Sequence, residues 1–381
     1  MPIYLDYHAH SLIDPRVAQA LVNALAAYDA NPHSTHGAGE AAHGAVERAR
    51  RAVAGRIAAA PGEIIFTSGA TEANNLAILG LRRHLQAIGR PRMLVSAGEH
   101  PSVIAAAEAA APGQVERIAL NADCSLAMAA LGRALGPDVG MVSVAAANHE
   151  IGTIQDLAQI AERVRGAGAL FHSDLAQAAG WLAIDARNFD LASLSAHKMG
   201  GPIGVGALYI ARSLRRRLVP SLHGGGQEAG ARAGTLSPPL CAAFGEAARI
   251  ADAEHHGYAR AVAGLRDRLW SQLQGAGGVV MHGGRDNRLP GNLNVGFEGV
   301  DGEALVLGLR DTVAVSTGSA CTAASLEPSH VLAAIGLDPL AASQAMRFGL
   351  GPRTTETEVD AAAEAVLANV TALRALRRRV A

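Results

Sequence analysis

Ile64-Ile65-Phe66-Thr67-Ser68-Gly69-Ala70-Thr71-Glu72 is a short apolar run that breaks into small polar residues and opens a helix. A run of strand length followed by Ser-Gly-Ala-Thr reads as a strand turning into a helix. The same alternation spreads outward from it. Strand candidates lie at Glu63–Thr67, Met93–Ser96, Met141–Ala145, Leu170–Ser173, Asp190–Ser195 and Gly206–Ile210, most of them separated by helical stretches such as Asp156–Arg165. Upstream, Val17, Ala20, Leu21, Ala24, Leu25 and Tyr28 repeat at helical spacing until Asn31-Pro32 stops them. This pattern predicts an α/β fold with a mostly parallel sheet.

The alternation ends at a glycine- and proline-rich stretch, His223-Gly224-Gly225-Gly226 to Pro238-Pro239, which reads as loop. A long helix is expected from Leu240 to Gln274. After it, strands at Gly278–Met281, Asn292–Phe297 and Met346–Leu350 mix with helices, the last from Glu356 to Arg378. That predicts a second, smaller α+β domain.

Composition narrows the function classes. The chain has 381 residues, 49 % hydrophobic and 18 % charged, which suits substantial cores and excludes wholesale disorder. A net charge of −1 gives no electrostatic case for a nucleic-acid or anionic-membrane binder. No apolar run reaches membrane-spanning length, and the start lacks the pattern of a secretory signal. The three cysteines, Cys124, Cys241 and Cys321, have no CxxC spacing. A disulfide framework is not expected, and a reducing cytoplasm is. Cys124 and Cys241 fall in alanine-rich stretches that read as helical and inert.

All but one of the 33 basic residues are arginine, the exception being Lys198. Lysine can lose its proton and attack a carbonyl, which arginine cannot. In open α/β sheets ligands bind beyond the carboxyl ends of the strands, and chemically capable residues gather there: Ser68 to Glu72, Glu99 and His100, Asn148, Asp174 and Gln177, then Ser195, His197 and Lys198. Each has a local account, such as a helix cap or a core histidine. Together on one edge they point to a ligand. Small residues opening a helix can cradle a phosphate, a carboxylate can keep a pyridine nitrogen protonated, and a lone lysine can bind an aldehyde. The combination suggests pyridoxal 5′-phosphate.

Phe66–Asn75, Asn148-His149-Glu150-Ile151-Gly152-Thr153, Ser195-Ala196-His197-Lys198 and Gly318-Ser319-Ala320-Cys321-Thr322 resemble the cysteine desulfurases, of the class V aminotransferase group of fold-type I pyridoxal-phosphate enzymes. The match runs in order from Tyr4-Leu5-Asp6 to Thr354-Thr355. It implies a large cofactor-binding domain at 15–250 with a seven-stranded type of sheet. It also implies a small C-terminal domain at 251–381 carrying the Cys321 loop, and an N-terminal segment, 1–14, packing on the small domain. By the same resemblance Lys198 holds the aldehyde, Asp174 the ring nitrogen and Gln177 the ring hydroxyl. The backbone at Ala70 with Thr71, Ser195 and His197 holds the phosphate, joined by Thr235 from the other subunit of a homodimer. His100 stacks on the ring and shuttles protons, and Asn148 and Arg347 hold the substrate carboxylate and cofactor edge. Cys321 takes the sulfur of L-cysteine as a persulfide, leaving L-alanine, and passes it to a sulfur-acceptor protein for iron–sulfur cluster assembly or thio-modification.

Some positions depart from that pattern. Ala9-His10-Ser11-Leu12 stands where the family usually has Ala-Thr-Thr-Pro, Ala229 replaces an arginine, and Leu350-Gly351-Pro352-Arg353 replaces Leu-Gly-Arg. Another class V reaction, such as that of a selenocysteine lyase or β-lyase, is the alternative within enzymes. A binding or regulatory homologue without turnover is the alternative outside them. A metal site from His172, His197 and His223 has no supporting ligand spacing.

Overall fold

The computed structural model describes residues 2–317 and 329–380. In chain order its strands are β1 (Ile3–Tyr4), β2 (Ile64–Thr67), β3 (Arg92–Ser96), β4 (Val115–Ile118), β5 (Val139–Ser143), β6 (Leu170–Asp174), β7 (Leu191–Ser195), β8 (Gly206–Ile210), β9 (Val279–Met281), β10 (Asn292–Phe297), β11 (Val313–Ala314) and β12 (Ala345–Gly349). Seven of them form one sheet in the order β2-β8-β7-β6-β5-β3-β4. Only β8 runs against its neighbours, so the fold is α/β with a mainly parallel sheet. Strands β2, β5, β7 and β8 are buried along their whole length, as expected when helices cover both faces.

A second, antiparallel sheet has the order β12-β10-β9, and β1 pairs in parallel with β11. The helix Pro238–Leu273 runs without a break through the position where the sequence placed a division, 250/251. Near its start, Gly245 lets the helix Gly37–Arg56 approach so closely that a Cβ there would meet the Ala49 Cα at 2.7 Å. Near its end, Arg268 and Gln272 bond Asp360 of the C-terminal helix.

Residues 3–14 connect the two sheets. After β1, Asp6 bridges to Gly349 of β12, and then the chain crosses to the loop after β7. There Ser11 N donates to His197 O (3.0 Å), and Asp14 N to Gly200 O (2.9 Å).

Three expectations need correcting. Strand β4 was not foreseen, because Val-Glu-Arg-Ile at a sheet edge is half exposed and carries no apolar run. The stretch 223–239 is not all loop: the long helix already begins at Pro238, capped by Ser237, and before it Gln227–Gly230 forms a tight turn. Cys124 lies in a turn with φ of 67°, not in a helix, although it is buried; Cys241 does lie in the long helix.

The 227–235 loop is anchored by a buried ion pair. Glu228 and Ala229 both sit in the left-handed region, which is costly for residues with a Cβ. Glu228 is held there by both Arg50 guanidinium nitrogens (2.7 and 2.8 Å) and by the Phe66 amide of β2 (2.8 Å). Replacing Glu228 with Ala leaves the Phe66 amide and the Arg50 Nη2 without their partner, although Arg50 keeps Glu47 and the Ile64 carbonyl. The expected loss is about 2–4 kcal/mol of unfolding free energy in urea titrations. A loss under about 1 kcal/mol contradicts the anchoring role.

Candidate active site

The carboxyl ends of β2, β6 and β7 open onto one cleft, whose lining includes Ala70, Thr71, His100, Asp174, Gln177, Ser195, His197, Lys198 and Arg347. Strand β2 delivers the first part through a close approach. A Cβ on Gly206 would lie 2.6 Å from the Gly69 Cα, so the glycine lets the turn after Thr67 rest on β8. That turn opens the helix Ala70–Ala87 with Thr71 in its first turn, where amide N–H groups favour an anion. Glu72 fixes the turn by accepting from Ser68 N (2.7 Å) and pairing with Arg232 (2.8 Å).

Asp174, at the end of β6, is 7 % exposed. Its carboxylate accepts from Asn74 Nδ2 (2.8 Å) and from the Ala176 amide (2.9 Å). Asn74 also donates to Ser102 Oγ, which contacts His100 Nδ1 at 2.8 Å, so a polar chain links Asp174 to His100. The Ser102 amide donates to the same Nδ1 (3.1 Å), which places the His100 proton on Nε2. His149 packs edge-on against that ring, the centroids 5.5 Å apart.

After β7, Ser195 Oγ meets His197 Nδ1 at 2.8 Å, and Lys198 Nζ donates to the carbonyls of His8 (2.5 Å) and Ala9 (2.8 Å). Arg347 comes from β12 and is 2 % exposed. It donates to Asp6 (3.0 Å) and to His149 O (3.0 Å), while its buried Nε has no partner among the described residues. Asp6 is in turn held by Ser316 Oγ (2.6 Å).

Two predicted residues lie elsewhere. Asn148 is buried but outside the cleft lining. Its amide donates to Gly98 O (3.0 Å) and accepts from the amides of Glu150 and Ile151, so it ties a loop behind the site. Thr235 is exposed and also outside this lining. Cys321 lies outside the described residues. Sequence reasoning missed His8, Asn74, Ser102 and His149. Asn74 stood within the Phe66–Asn75 motif and four residues after Ala70, one helical turn into the same helix; His8 gave no signal.

Four imidazoles here, of His8, His10, His100 and His197, are held toward their neutral form. Burial pushes His8 down to about 3, helped by the charges of Arg347 and Lys198. Burial likewise brings His197 down to about 4, with Lys198 and His10 adding to it. His100 falls to about 4 by burial and the neighbouring His149. His10, stacked on His197 at 5.7 Å, is lowered by burial and then by Lys198.

A family model described as aminotransferase class-V matches residues 3–362. The mitochondrial cysteine desulfurase of Saccharomyces cerevisiae is 45 % identical over 380 residues, covering 98 % of this chain and 76 % of that protein. The chain belongs to the cysteine desulfurase family of class-V aminotransferases. Within that family, the cysteine desulfurase IscS of Shewanella woodyi is 43 % identical over 98 % of this chain and 94 % of its own. A solved NifS-like protein superposes with a TM-score of 0.91 at 30 % identity, covering 97 % of this chain and all of the other.

These buried groups set the acid stability of this cysteine desulfurase. His8, His100, His172, His197 and His282 all titrate lower in the fold than the free value of about 6.5. Between about pH 4 and 6.5 the unfolded chain therefore binds more protons, and stability rises with pH. Glu99, fully buried, is pushed up to about 8 by burial, so between its free value of about 4.3 and pH 8 it opposes that trend. The histidines outnumber it. Urea unfolding of the apoprotein is expected to show stability climbing from pH 4 to about 6.5, then levelling or falling slightly toward 8. A flat profile from pH 4 to 6.5 contradicts buried neutral histidines.

Proposed function

We propose that the protein is a pyridoxal 5′-phosphate-dependent cysteine desulfurase that releases L-alanine from L-cysteine and carries the sulfur as a persulfide on Cys321. The observation that carries the reading is the gathering of Lys198, Asp174, His100, His197 and Arg347 around one cleft in a chain of this family. The donor chemistry fits the cofactor. Lys198 is the primary amine an aldehyde needs, and Asp174 is a buried carboxylate suited to a protonated pyridine nitrogen. The Ala70 backbone, Thr71, Ser195 and His197 suit its phosphate. Gln177 suits the ring hydroxyl, and His100 the ring face. Thr235, exposed on this protomer, suits a partner subunit's phosphate in a homodimer. Bound there, the cofactor supplies an electron sink for charge at the substrate Cα.

The remaining chemistry belongs to the chain. Arg347, with one buried N–H unpartnered, takes the substrate carboxylate. Lys198 Nζ takes the α-proton. Cys321 needs its thiolate, and a free thiol ionises at about 8.5. The thiolate attacks the substrate sulfur, the S–S bond forms, and the Cβ–S bond breaks with its electron pair left on carbon. A proton delivered to Cβ and the return of the abstracted proton from Lys198 to Cα complete L-alanine. The balance is L-cysteine plus protein thiol giving L-alanine plus protein persulfide. An acceptor protein or added thiol then removes the sulfur. A cysteine that must stay reduced between turnovers suits the cytoplasm.

Cys321→Ala is expected to keep the visible absorbance of the bound cofactor and its change on adding L-cysteine. Sulfide release should fall about 100-fold or more. Desulfuration at the wild-type rate by this variant excludes the Cys321 route and leaves a direct β-lyase. Lys198→Arg is expected to be equally inactive, with no cofactor fixed to the protein by borohydride, because a guanidinium cannot replace the amine. Borohydride fixation at another residue of that variant contradicts the assignment of Lys198.

A further inference from the structure

We propose that His8 is a positioning residue for this reaction: its Nδ1–H pins the Gln177 amide so that the amide's remaining N–H is held for the cofactor's ring oxygen. The inference rests on the cofactor reading above and concerns a residue outside the sequence motifs that led to it.

His8 is 2 % exposed and shares the cleft lining with Gln177 and Lys198. Residue 8 and Gln177 make two hydrogen bonds. Gln177 Nε2 donates to His8 O at 2.9 Å, and His8 Nδ1 lies 3.0 Å from Gln177 Oε1. A main-chain carbonyl only accepts, so the amide nitrogen must face it and the amide oxygen must face Nδ1. Nδ1 therefore carries the imidazole proton. The same carbonyl accepts from Lys198 Nζ, so residue 8 ties the amine and the amide to one point. With one N–H and the oxygen committed to residue 8, Gln177 has a single N–H left to give.

The charges around the pair favour this state. Lys198 and Arg347 both hold His8 neutral, in keeping with its value near 3. The other titratable groups lining the cleft are Glu72, His100, His149, Asp174 and His197, with His10 stacked on His197; burial lowers His100, His197 and His10, and, against burial, the Arg232 pair lowers Glu72. Without the Nδ1 donor, Gln177 Oε1 becomes a buried acceptor with no partner, and the amide leaves this arrangement to satisfy it. A hydrogen bond donated to an ionised oxygen favours ionisation, so its loss moves the cofactor's titration upward.

The test reconstitutes wild type, His8→Leu and His8→Asn with pyridoxal 5′-phosphate and follows the visible absorbance against pH. Leu keeps bulk and removes the donor; Asn places its amide N–H where Nδ1–H stands. His8→Leu is expected to raise the absorbance midpoint by about one pH unit and lower kcat about tenfold, with KM for L-cysteine little changed. His8→Asn is expected to titrate as wild type. A His8→Leu midpoint equal to wild type overturns the inference, and so does a His8→Asn midpoint shifted as far as that of Leu. If His8→Leu folds poorly, His8→Ala removes the same donor and is read by the same outcomes. Wild type that takes up no cofactor overturns the cofactor reading and this inference together. Normal uptake with an unshifted variant overturns this inference alone.

Discussion

A primary amine inside a cleft has to meet acceptors, and for Lys198 the backbone carbonyls of His8 and Ala9 supply them. Much of the architecture serves that arrangement. The N-terminal segment must cross the mouth of the large sheet, so it is held at both ends. At one end β1 pairs with β11 and Asp6 grips Arg347 and Ser316. At the other, Ser11 and Asp14 bond the loop that follows β7, and Ser11 Oγ bonds the carbonyl of Lys198 itself. The segment that carries His10, Ser11 and Leu12 is thus the one that holds the amine.

The electrostatics follow the same economy. Lys198 and Arg347 supply positive charge, while buried imidazoles stay neutral and add none. Asp174 keeps its carboxylate between an amide side chain and a backbone N–H, a setting without a cation in hydrogen-bond contact. A carboxylate so held suits pairing with a protonated ligand nitrogen better than one already in a salt bridge. Arg347 differs: its Nη2 donates to Asp6 and its Nη1 to the His149 carbonyl, and its buried Nε has no partner among the described residues.

The large sheet was legible because its strands are buried on both faces and read as continuous apolar runs with small residues at their ends. The gathering of Thr71, Asp174, Ser195 and Lys198 followed from the rule that strand ends make the site. What escaped was set by tertiary contact. Strand β4 depends on its neighbour β3, not on its own half-exposed residues. The pairing of His8 with Gln177 joins residues 169 apart in sequence, with no local pattern at either. Asn148 sat at a strand end as expected, yet the turn after it has amides to satisfy, and its side chain goes to them. The Cys124 turn was hidden among alanines that favour helix, although Asp123 and Ser125 beside it are turn formers.

The central claim is that this cleft moves the sulfur of L-cysteine and leaves alanine. The most direct measurement is a product balance: purified protein loaded with pyridoxal 5′-phosphate, L-cysteine and a thiol reductant, with alanine, sulfide, pyruvate and ammonia quantified over time. The account predicts alanine and sulfide in equal amounts with no pyruvate. Sulfide accompanied by pyruvate and ammonia, or no turnover by cofactor-loaded protein, contradicts it.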